Sequence, residues 1–369
     1  MDYQKRIERL SNLLRTEELE ALAVLPGPNL FYLTGLSFHL MERPVVGLFS
    51  ASAPPRLILP EFEKPKAEAA AVALELFSYG EQEGASLSAF QAALSRMPAD
   101  GRAVAVEPLR ARFHELGLLQ AASPHTRFVT GASLLASLRM AKDSAELAAI
   151  RRAIEIAQRA MDQTVPLIRL GMTEHELASE LNVQLLRAGS EPEIPFSPIV
   201  ATGPNSAHPH AVPGDRRLGA GELLVLDWGA TASGYISDLT RTFAVGEISQ
   251  ELAEVHRVVG QANAAGRAAV GPGVRCGEVD RAARAVIASA GYGEFFLHRT
   301  GHGIGLEAHE PPFIRDGEPT VLEPGMTFTI EPGIYLAGRG GVRIEDNVVV
   351  TAEGSSSLTS SPRELKVVG

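Results

Sequence analysis

Cysteine is almost absent from this chain of 369 residues, which contains Cys276 alone. One cysteine cannot form an internal disulfide or build a metal site from thiolates. Long apolar runs are also absent, since no stretch approaches the eighteen apolar residues of a membrane-spanning helix. The N-terminus, MDYQKRIERL, lacks the apolar core of a signal peptide. We therefore expect a cytoplasmic protein without a membrane partner.

Positive charge is scarce relative to negative charge, and the net charge is −10 with a pI of about 5.6. On this ground we expect no nucleic-acid partner, because binding phosphates favours a basic face. The sequence also lacks G-x-G-x-x-G after a strand and G-x-x-x-x-G-K-[ST], the usual phosphate-binding loops. Hydrophobic residues make up 45% of the chain and charged residues 21%, which is typical of a globular protein. The length predicts two domains, with three as the alternative.

The first third of the chain alternates short apolar runs with amphipathic segments. Six runs predict strands: ALAVLPG, PVVGLFS, RLILPEF, LELFSYG, AVAVEP and TRFVTG. Three segments predict helices between or after them: EKPKAEAAAVA, ASLSAFQAALSRM and LRARFHELGLLQ. This alternation predicts an α/β domain with a largely parallel sheet, which we assign to residues 1–135.

The pattern changes in residues 136–369, which we assign to a second domain of the α+β class. Helices are predicted over residues 142–165, 173–188, 249–270 and 277–290. The first is expected to be capped by Asp143 or Ser144, and the second begins with the capping-box pattern TEHE. The rest of this half reads as long strands separated by glycine and proline turns.

A first pair of acids lies in ELLVLDWGATASGYISDLTRTFAVG, residues 222–246, which predicts two strands and a turn. If the hairpin is symmetric about the point between Ala232 and Ser233, Asp227 and Asp238 are direct cross-strand partners, about 5 Å apart at Cβ. A cation should then lie between them, or one carboxyl should stay protonated. A single aspartate in a hairpin is usually a turn or surface residue, but unpaired acids in strands this apolar are costly to bury.

A second pair lies in TFTIEPGIYLAGRGGVRIEDNVVV, residues 327–350. Glu331 and Glu345 are centred on Gly338, although a bulge would turn Asp346 inward instead of Glu345. Four carboxylates carry four negative charges, which two divalent cations would neutralise. Bridging carboxylates hold such ions about 3.5–4 Å apart, the separation used to activate water.

Two histidines, His302 and His309, lie in the glycine-rich stretch TGHGIGLEAHEPP, residues 300–312. A lone histidine on a strand is more often a satisfied polar residue than a ligand. Beside two acid pairs, however, an imidazole completes a divalent-metal pattern, and oxygen donors with one imidazole favour manganese, cobalt, iron or zinc over magnesium. We expect two such ions, with Mn²⁺ the first choice.

These segments resemble the pita-bread metallopeptidases, the family of Xaa-Pro dipeptidase (prolidase), Xaa-Pro aminopeptidase and methionine aminopeptidase. The resemblance covers the C-terminal half in order, through PIVATGPNSAHPH, LDWGATASGYISDLTRT, FLHRTGHGIGLEAHE, TFTIEPGIY and GVRIEDNVVVT. It implies a pita-bread catalytic domain after a creatinase-like α/β domain. Because methionine aminopeptidases generally lack the N-terminal domain, the resemblance favours the proline-specific members.

The resemblance assigns roles to individual residues. It implies five metal ligands: Asp227, Asp238, His302, Glu331 and Glu345. It thereby selects Glu345 over Asp346, and the complete set argues against a metal-free creatinase-like hydrolase and against a non-catalytic binding module. His210 and His309 would contact the substrate carbonyl and stabilise the tetrahedral intermediate, while Glu331 would also shuttle the proton. His298 would lie on the substrate side, and Arg343 would support the metal-binding carboxylates while bordering the substrate.

The implied reaction is hydrolysis of Xaa-Pro bonds at the N-terminus of short proline-containing peptides, by a homodimer as in the family. The resemblance favours an Xaa-Pro dipeptidase, and an Xaa-Pro aminopeptidase acting on longer peptides is the alternative. In YLTGLSFHLMERPVVGLF, residues 32–49, Arg43 is a candidate partner for a dipeptide's carboxylate. Its other interpretation is a surface ion pair with Glu42.

Overall fold

The computed structural model describes residues 1–97 and 101–369, which form two compact units, Met1–Arg139 and Met140–Gly369. The sequence placed the division at residues 135 and 136. That point lies inside a helix, Ala132–Arg139, so the whole helix belongs to the N-terminal unit.

The N-terminal unit consists of one sheet with helices around it. Its helices are α1 (Tyr3–Thr16), α2 (Pro28–Thr34), α3 (Lys64–Glu68), α4 (Ala85–Leu94), α5 (Phe113–Ala122) and α6 (Ala132–Arg139). Its strands are β1 (Leu19–Val24), β2 (Val46–Ser50), β3 (Arg56–Pro60), β4 (Glu75–Tyr79), β5 (Ala103–Val106) and β6 (Phe128–Thr130). Each of the six apolar runs therefore contains a strand.

The sheet of this unit is mixed, with the strand order β4-β3-β2-β1-β5-β6. The outer pairs β3–β4, β1–β5 and β5–β6 are parallel, but β1–β2 and β2–β3 are antiparallel. The expectation of a largely parallel sheet was therefore wrong for its centre. The chain between β2 and β3 spans only residues 51–55, and a parallel crossover requires a dozen or more residues.

The C-terminal unit combines four helices of the described chain with several small sheets. The helices are α7 (Ser144–Thr164), α8 (Glu174–Arg187), α9 (Gln250–Ala268) and α10 (Cys276–Ser289). The strands are β7 (Ile199–Thr202), β8 (Glu222–Trp228), β9 (Thr231–Ala232), β10 (Tyr235–Ile236), β11 (Leu239–Val245), β12 (Gly301–Gly303), β13 (Glu310–Ile314), β14 (Thr327–Ile330), β15 (Gly333–Leu336), β16 (Gly340–Arg343), β17 (Asp346–Val350), β18 (Ser355–Ser357) and β19 (Lys366–Val368).

The two long helices that open this unit begin where the capping residues predict. The Asp143 carboxylate accepts the N–H of Glu146, and the Thr173 hydroxyl accepts that of Glu176, while each glutamate bonds back to its cap. The apolar faces of both helices then pack against β8 and β11 in one core. Trp228 is fully buried in that core and donates its indole N–H to the Ala157 carbonyl at 2.8 Å. This packing fixes β8 at the point where Asp227 emerges.

Two sheets of the C-terminal unit carry the predicted acids. One has the order β19-β11-β8-β7, and the other has the order β13-β12-β14-β17-β18. An isolated bridge between Thr240 and Glu345 joins them. Because side chains on facing strands alternate between the two faces, this bridge brings the acids of both hairpins to one side.

No helix in the described part of the chain combines the length and the apolar composition that crossing a bilayer requires.

A buried histidine on α9 makes the fold sensitive to acid. His256 is 5% exposed, and burial, followed by the positive charge of Arg241, lowers its pKa from 6.5 to about 4, although Glu364 opposes this shift. Between pH 4 and pH 6.5, His256 is therefore protonated in the unfolded chain and neutral in the folded protein. The stability that neutral His256 contributes is complete above pH 6.5 and is lost as the pH falls towards 4.

We therefore expect wild-type protein to lose about 1–2 kcal/mol more of its free energy of unfolding between pH 7 and pH 5 than His256→Gln does. Urea denaturation followed by circular dichroism measures this difference. His175→Gln is the matched control, because the His175 side chain is 64% exposed and its charged partner is the fully exposed Asp215. Equal losses in wild type and His256→Gln would contradict the prediction.

Candidate metal centre and active site

The first acid pair meets in a different register from the expected one. Thr240, not Asp238, is the cross-strand partner of Asp227, and the hairpin centre lies between Ser233 and Gly234. Both turn residues have positive φ, 53° and 75°, as a two-residue type I′ turn requires. Including Gly234 in the turn moves the hairpin centre by one residue and therefore moves the partner of Asp227 by two residues, from Asp238 to Thr240. Asp238 therefore lies diagonally from Asp227, two residues before Thr240, and both acids line the same cavity.

The second hairpin keeps the expected centre at Gly338. The ladder is interrupted at residues 331–332 and 344–345. Gly333 pairs with Arg343 on one side of this break, and Ile330 pairs with Asp346 on the other. Both pairs have the same register, so Glu331 and Glu345 face each other across the break. Glu345 lines the cavity. The Asp346 side chain does not line the cavity, and its carboxylate forms ion pairs with three arginines. Their nitrogens lie 2.8 Å (Arg241), 2.6 Å (Arg363) and 3.5 Å (Arg267) from its carboxylate.

The two histidines of the glycine-rich stretch lie side by side. Strand β12 carries His302, the chain reverses, and β13 runs antiparallel to it directly after His309. The ring centroids are 4.1 Å apart. Glycine is required on both sides of His302, because a Cβ on Gly301 would lie 1.8 Å from the Thr329 carbonyl oxygen and one on Gly303 would lie 2.2 Å from the Pro311 carbonyl oxygen. The bend that the sequence predicted between the two rings is thus a strand reversal.

The five predicted ligands converge on one buried spot. Ligand atoms of Asp238, His302 and Glu345 lie within 4.8 Å of one another. The His302 Nε2 atom lies 3.2 Å from Glu331 Oε1 and 3.7 Å from Asp238 Oδ2. The Asp227 carboxylate borders the same cavity.

Burial and mutual repulsion dominate the electrostatics of this cluster. Burial, followed by the charges of neighbouring carboxylates, raises the pKa values of Asp238 and Glu345 well above the usual range. Burial also raises the pKa of Asp227, although Arg343 opposes that shift. For Glu331 burial acts in the same direction, but the hydrogen bond and charge of His302 lower its pKa to about 2. Such a cluster requires either bound protons or bound cations.

The donor set fits divalent cations. Among the described residues, Asp227 Oδ1 and Glu345 Oε1 are buried oxygens without a hydrogen-bond partner. The His302 Nδ1 atom lies 3.2 Å from the Gly303 carbonyl and therefore carries hydrogen. At Nε2, a proton or a cation must separate the ring from the Glu331 oxygen. Carboxylate oxygens and one imidazole nitrogen are the ligands that such an ion would use.

Arg343 supports the acids from behind. This arginine is 3% exposed, and it donates to Asp227 Oδ2 at 2.6 Å, to the Tyr335 hydroxyl at 2.9 Å and to the Thr240 hydroxyl at 3.1 Å. Thr240 in turn donates to Glu345 Oε2 at 2.6 Å. Sequence reasoning missed Thr240 and Tyr335. The correct register of the first hairpin would have found Thr240, the cross-strand partner of Asp227.

A buried asparagine holds the backbone of Asp238. Asn347 donates its amide to the Asp238 carbonyl and accepts the Asp238 N–H at 3.3 Å. Asp238 lies where the first hairpin is interrupted, and its peptide groups would otherwise lack partners in the ladder. In the sequence, Asn347 follows Glu345 and Asp346 and precedes the apolar run Val348–Val350. Nothing in this local pattern indicates that Asn347 binds the backbone of Asp238.

His298 lines the cavity, but both of its ring nitrogens already have partners. Its Nδ1 lies 2.7 Å from the Arg299 carbonyl, which can only accept, so Nδ1 carries the hydrogen. Its Nε2 lies 2.8 Å from the Tyr335 hydroxyl. Burial lowers the pKa of His298, which favours this neutral form. A hydrogen bond from His298 to a substrate would have to replace one of these partners.

The cavity above the acids has a volume of about 610 Å³. His210 and His309 lie at its exposed rim, and partial burial together with the His302 charge lowers the pKa of His309 to about 4. Phe196, Ile199 and Pro209 contribute apolar surface. Nine of the ten predicted site residues therefore border one cavity.

Arg43 is the tenth predicted residue, and it belongs to the N-terminal unit. Its guanidinium pairs with Glu42 and, at 2.8 Å, with Glu81. The ion pair with Glu42 is the alternative interpretation of this arginine. A substrate carboxylate would have to compete with two side chains that already pair with it.

Two family profiles match this chain. That of metallopeptidase family M24 matches residues 148–352, and that of the creatinase/prolidase N-terminal domain matches residues 6–141. Together they cover the segments that carry the resemblance seen in the sequence.

Relatives with both peptide specificities are similar over nearly the whole chain. An Xaa-Pro dipeptidase from Lactobacillus delbrueckii subsp. lactis is 35% identical over 98% of this chain and 98% of its own. The prolidase from Thermococcus sibiricus superposes with a TM-score of 0.94 at 32% identity over 100% of both chains. An X-Pro aminopeptidase from Thermotoga maritima superposes with a TM-score of 0.85 at 33% identity, covering 98% of this chain and 99% of its own.

The raised pKa values predict how metal ions affect stability. In the metal-free folded protein, Asp227, Asp238 and Glu345 retain protons above about pH 4, where the unfolded chain releases them. Stability of the metal-free protein therefore falls as the pH rises. Because metal ions replace those protons, we expect Mn²⁺ to raise the thermal unfolding midpoint more at pH 8 than at pH 6, as measured by differential scanning fluorimetry.

Asp238→Asn should abolish most of this metal-dependent rise. Without metal at pH 8, the variant should be at least as stable as wild type, because one repelling charge is gone. Asp162→Asn makes the same change at an exposed acid outside the cavity and should respond to Mn²⁺ like wild type. An unchanged midpoint after chelation of the wild-type protein at pH 8 would count against the metal centre.

Proposed function

The chain belongs to metallopeptidase family M24 and is a metal-dependent, proline-specific peptidase, and we propose that it acts as an Xaa-Pro dipeptidase. The observation that carries the proposal is the buried acid cluster with two unpartnered carboxylate oxygens at the base of a cavity. The relatives named as Xaa-Pro dipeptidase and prolidase supply the specificity.

We propose that two divalent ions, Mn²⁺ first among them, bind to the five predicted ligands Asp227, Asp238, His302, Glu331 and Glu345. When bound, such ions polarise a carbonyl oxygen and lower the pKa of water. Other side chains of the protein orient these ligands. Arg343 holds one Asp227 oxygen and Thr240 holds one Glu345 oxygen, which leaves the second oxygen of each acid available.

Glu331 is suited to move a proton within the site. Its carboxylate lies at the base of the cavity, with Oε1 3.2 Å from the His302 Nε2 atom, and it is ionised near pH 7, so it can accept hydrogen. We propose that it takes a proton from the attacking water and passes it to the proline nitrogen, the leaving group. An Xaa-Pro nitrogen carries no hydrogen of its own, so this delivery is required for the bond to break.

We propose that His210 and His309 donate hydrogen bonds to the scissile carbonyl and to the oxyanion that it becomes. Both border the cavity, and the lowered pKa of His309 keeps its imidazole neutral near pH 7. A neutral imidazole offers one N–H to the oxygen. The apolar residues Phe196 and Ile199 provide surface for a proline ring or an apolar Xaa side chain.

Further parts of the proposal rest on the sequence and the family. We propose a cytoplasmic homodimer that takes short proline-containing peptides and neither nucleic acid nor membrane as partners. Arg43 is proposed as a contact for the dipeptide carboxylate, in exchange for one of its two acidic partners. His298 is proposed to shape the substrate side through its ring.

Two peptides separate the proposed dipeptidase from the alternative aminopeptidase. With Mn²⁺ present, we expect rapid cleavage of Ala-Pro and slow cleavage of Ala-Pro-Ala, measured by chromatography of released alanine. Cleavage of the tripeptide but not the dipeptide would refute the preference for dipeptides and would favour the aminopeptidase, as the similarity to the Thermotoga maritima enzyme allows. Activity that survives strong chelation would instead indicate a creatinase-like hydrolase.

The proposed roles of the rim histidines predict a selective kinetic effect. We expect His210→Ala and His309→Ala each to lower kcat/KM by about 10²–10³-fold, because one oxyanion donor is lost. Metal content, measured by atomic absorption, should remain that of wild type.

His208→Ala is the matched control for these variants. His208 lies two residues from His210, is exposed and does not line the cavity, so its removal should leave kcat/KM within about twofold of wild type. Full activity of His210→Ala and His309→Ala would remove both residues from the proposed mechanism.

A further inference from the structure

The two strands that carry Glu331 and Glu345 do not bond to each other at these residues. The Glu331 N–H donates to the Thr300 carbonyl at 2.7 Å, and the Glu345 N–H donates to the Thr240 carbonyl at 3.1 Å. Each glutamate is thus tied by its backbone to a different neighbouring segment. The distance between the two carboxylates therefore depends on what holds the adjacent peptide groups together.

A proline removes one bond at this point. The Ile344 N–H donates to the Pro332 carbonyl at 3.4 Å, so residues 332 and 344 form a hydrogen-bonded pair of the antiparallel ladder. In such a pair the second bond would run from the nitrogen of residue 332 to the Ile344 carbonyl. Proline has no N–H, so the Ile344 carbonyl has no donor from the partner strand.

Asn263 on helix α9 supplies the missing donor. Its fully buried side-chain amide donates to the Ile344 carbonyl at 3.2 Å and to the Ile330 carbonyl at 2.9 Å. Ile330 directly precedes Glu331, and Ile344 directly precedes Glu345. One amide group therefore bridges the two strands immediately before both acids.

The orientation of this amide is determined by its other partner. Arg267, one helical turn further along α9, donates its Nε–H to Asn263 Oδ1 at 2.8 Å. A guanidinium can only donate, so the oxygen of the amide must face Arg267 and the nitrogen must face the two carbonyls. Arg267 also lies 3.5 Å from Asp346 Oδ2, which ties the same side of the helix to β17.

We propose that Asn263 is a positioning residue for the acid cluster, which sets the separation of Glu331 and Glu345 by bridging the carbonyls of Ile330 and Ile344. This inference rests on the proposed metal-binding role of the cluster. The side-chain amide of Asn263 hydrogen-bonds to backbone carbonyls and to Arg267, and it acts through the two peptide groups that precede the glutamates. Its function is analogous to that of Asn347, which holds both backbone groups of Asp238.

Asn263→Asp tests this inference with almost no change in side-chain size. The variant keeps an oxygen for Arg267 but replaces the bridging nitrogen with an oxygen that repels both carbonyls. We expect its Mn²⁺ affinity, measured by equilibrium dialysis, to fall by about 10- to 100-fold, which is the usual effect of losing a group that orients metal ligands. The visible absorption spectrum of the Co²⁺-loaded variant should also differ from that of loaded wild type.

Asn182→Asp is the matched control, because it makes the same change on helix α8 of the same unit, at a residue that does not line the cavity. The Oδ1 atom of Asn182 is buried and has no hydrogen-bond partner among the described residues. Asn182→Asp therefore adds a carboxylate to the same unit away from the cavity, and it measures the effect of destabilisation alone on metal binding. We expect it to keep the wild-type Mn²⁺ affinity and Co²⁺ spectrum. Equal affinity and identical spectra for Asn263→Asp and wild type would overturn the inference and leave the proposed function intact. A wild-type protein that binds no divalent metal would overturn both.

Arg267→Met provides a second variant if Asn263→Asp does not fold. It keeps much of the aliphatic stem of a partly exposed residue and removes the donor that orients the Asn263 amide. A fall in Mn²⁺ affinity with an altered Co²⁺ spectrum supports the inference, and unchanged values for this folded variant overturn it.

Discussion

Repulsion among four buried carboxylates is the interaction on which the arrangement of the C-terminal unit depends. Asp227, Asp238, Glu331 and Glu345 surround one space, and burial raises the cost of each charge. Among the described residues, Arg343 is the arginine that hydrogen-bonds to a carboxylate of this group, and it uses one oxygen of Asp227. The remaining negative charge is left for cations, which suits a metal centre better than a structural ion-pair network.

The neighbouring acid, Asp346, illustrates the opposite solution. It is as buried as the cluster, yet it faces three arginines on the other side of the strand. Asp346 begins β17 and Glu345 directly precedes it, and the two acids point to opposite faces and have opposite environments, because successive side chains of extended backbone alternate. Because of this alternation, a change of one residue in the register would turn Asp346, instead of Glu345, towards the cavity.

Interrupted ladders give the acids their positions. Both hairpins carry their acids next to breaks in the sheet, where peptide groups need partners other than the facing strand. Buried asparagines occupy these places, Asn347 beside Asp238 and Asn263 before the two glutamates. A side-chain amide has the same donor and acceptor groups as a peptide, and it can therefore hold a strand end rigidly while leaving the acid free to bind.

Much of the fold could be predicted from local patterns. Alternating apolar runs, capping boxes and glycine turns located the strands and helices, because these signals depend on neighbours in the sequence. The structure corrected the parallel arrangement expected at the centre of the N-terminal sheet and the direct pairing of Asp227 with Asp238. The antiparallel pairing of β2 with β3 depends on a connection of residues 51–55, and the pairing of Asp227 depends on a turn in which Gly234 changes the register.

The sequence by itself pointed to a candidate metal site, since acids and a histidine in apolar strands are costly to bury without a cation, and the family resemblance then proposed the individual ligands. Only the tertiary structure decided how they are oriented. The contacts of Thr240, Tyr335, Asn263 and Asn347 join segments up to about a hundred residues apart, and no local pattern records them. Sequence spacing indicates which residues are neighbours along one strand or helix, whereas the partners of these side-chain hydrogen bonds depend on how the helices and strands pack together.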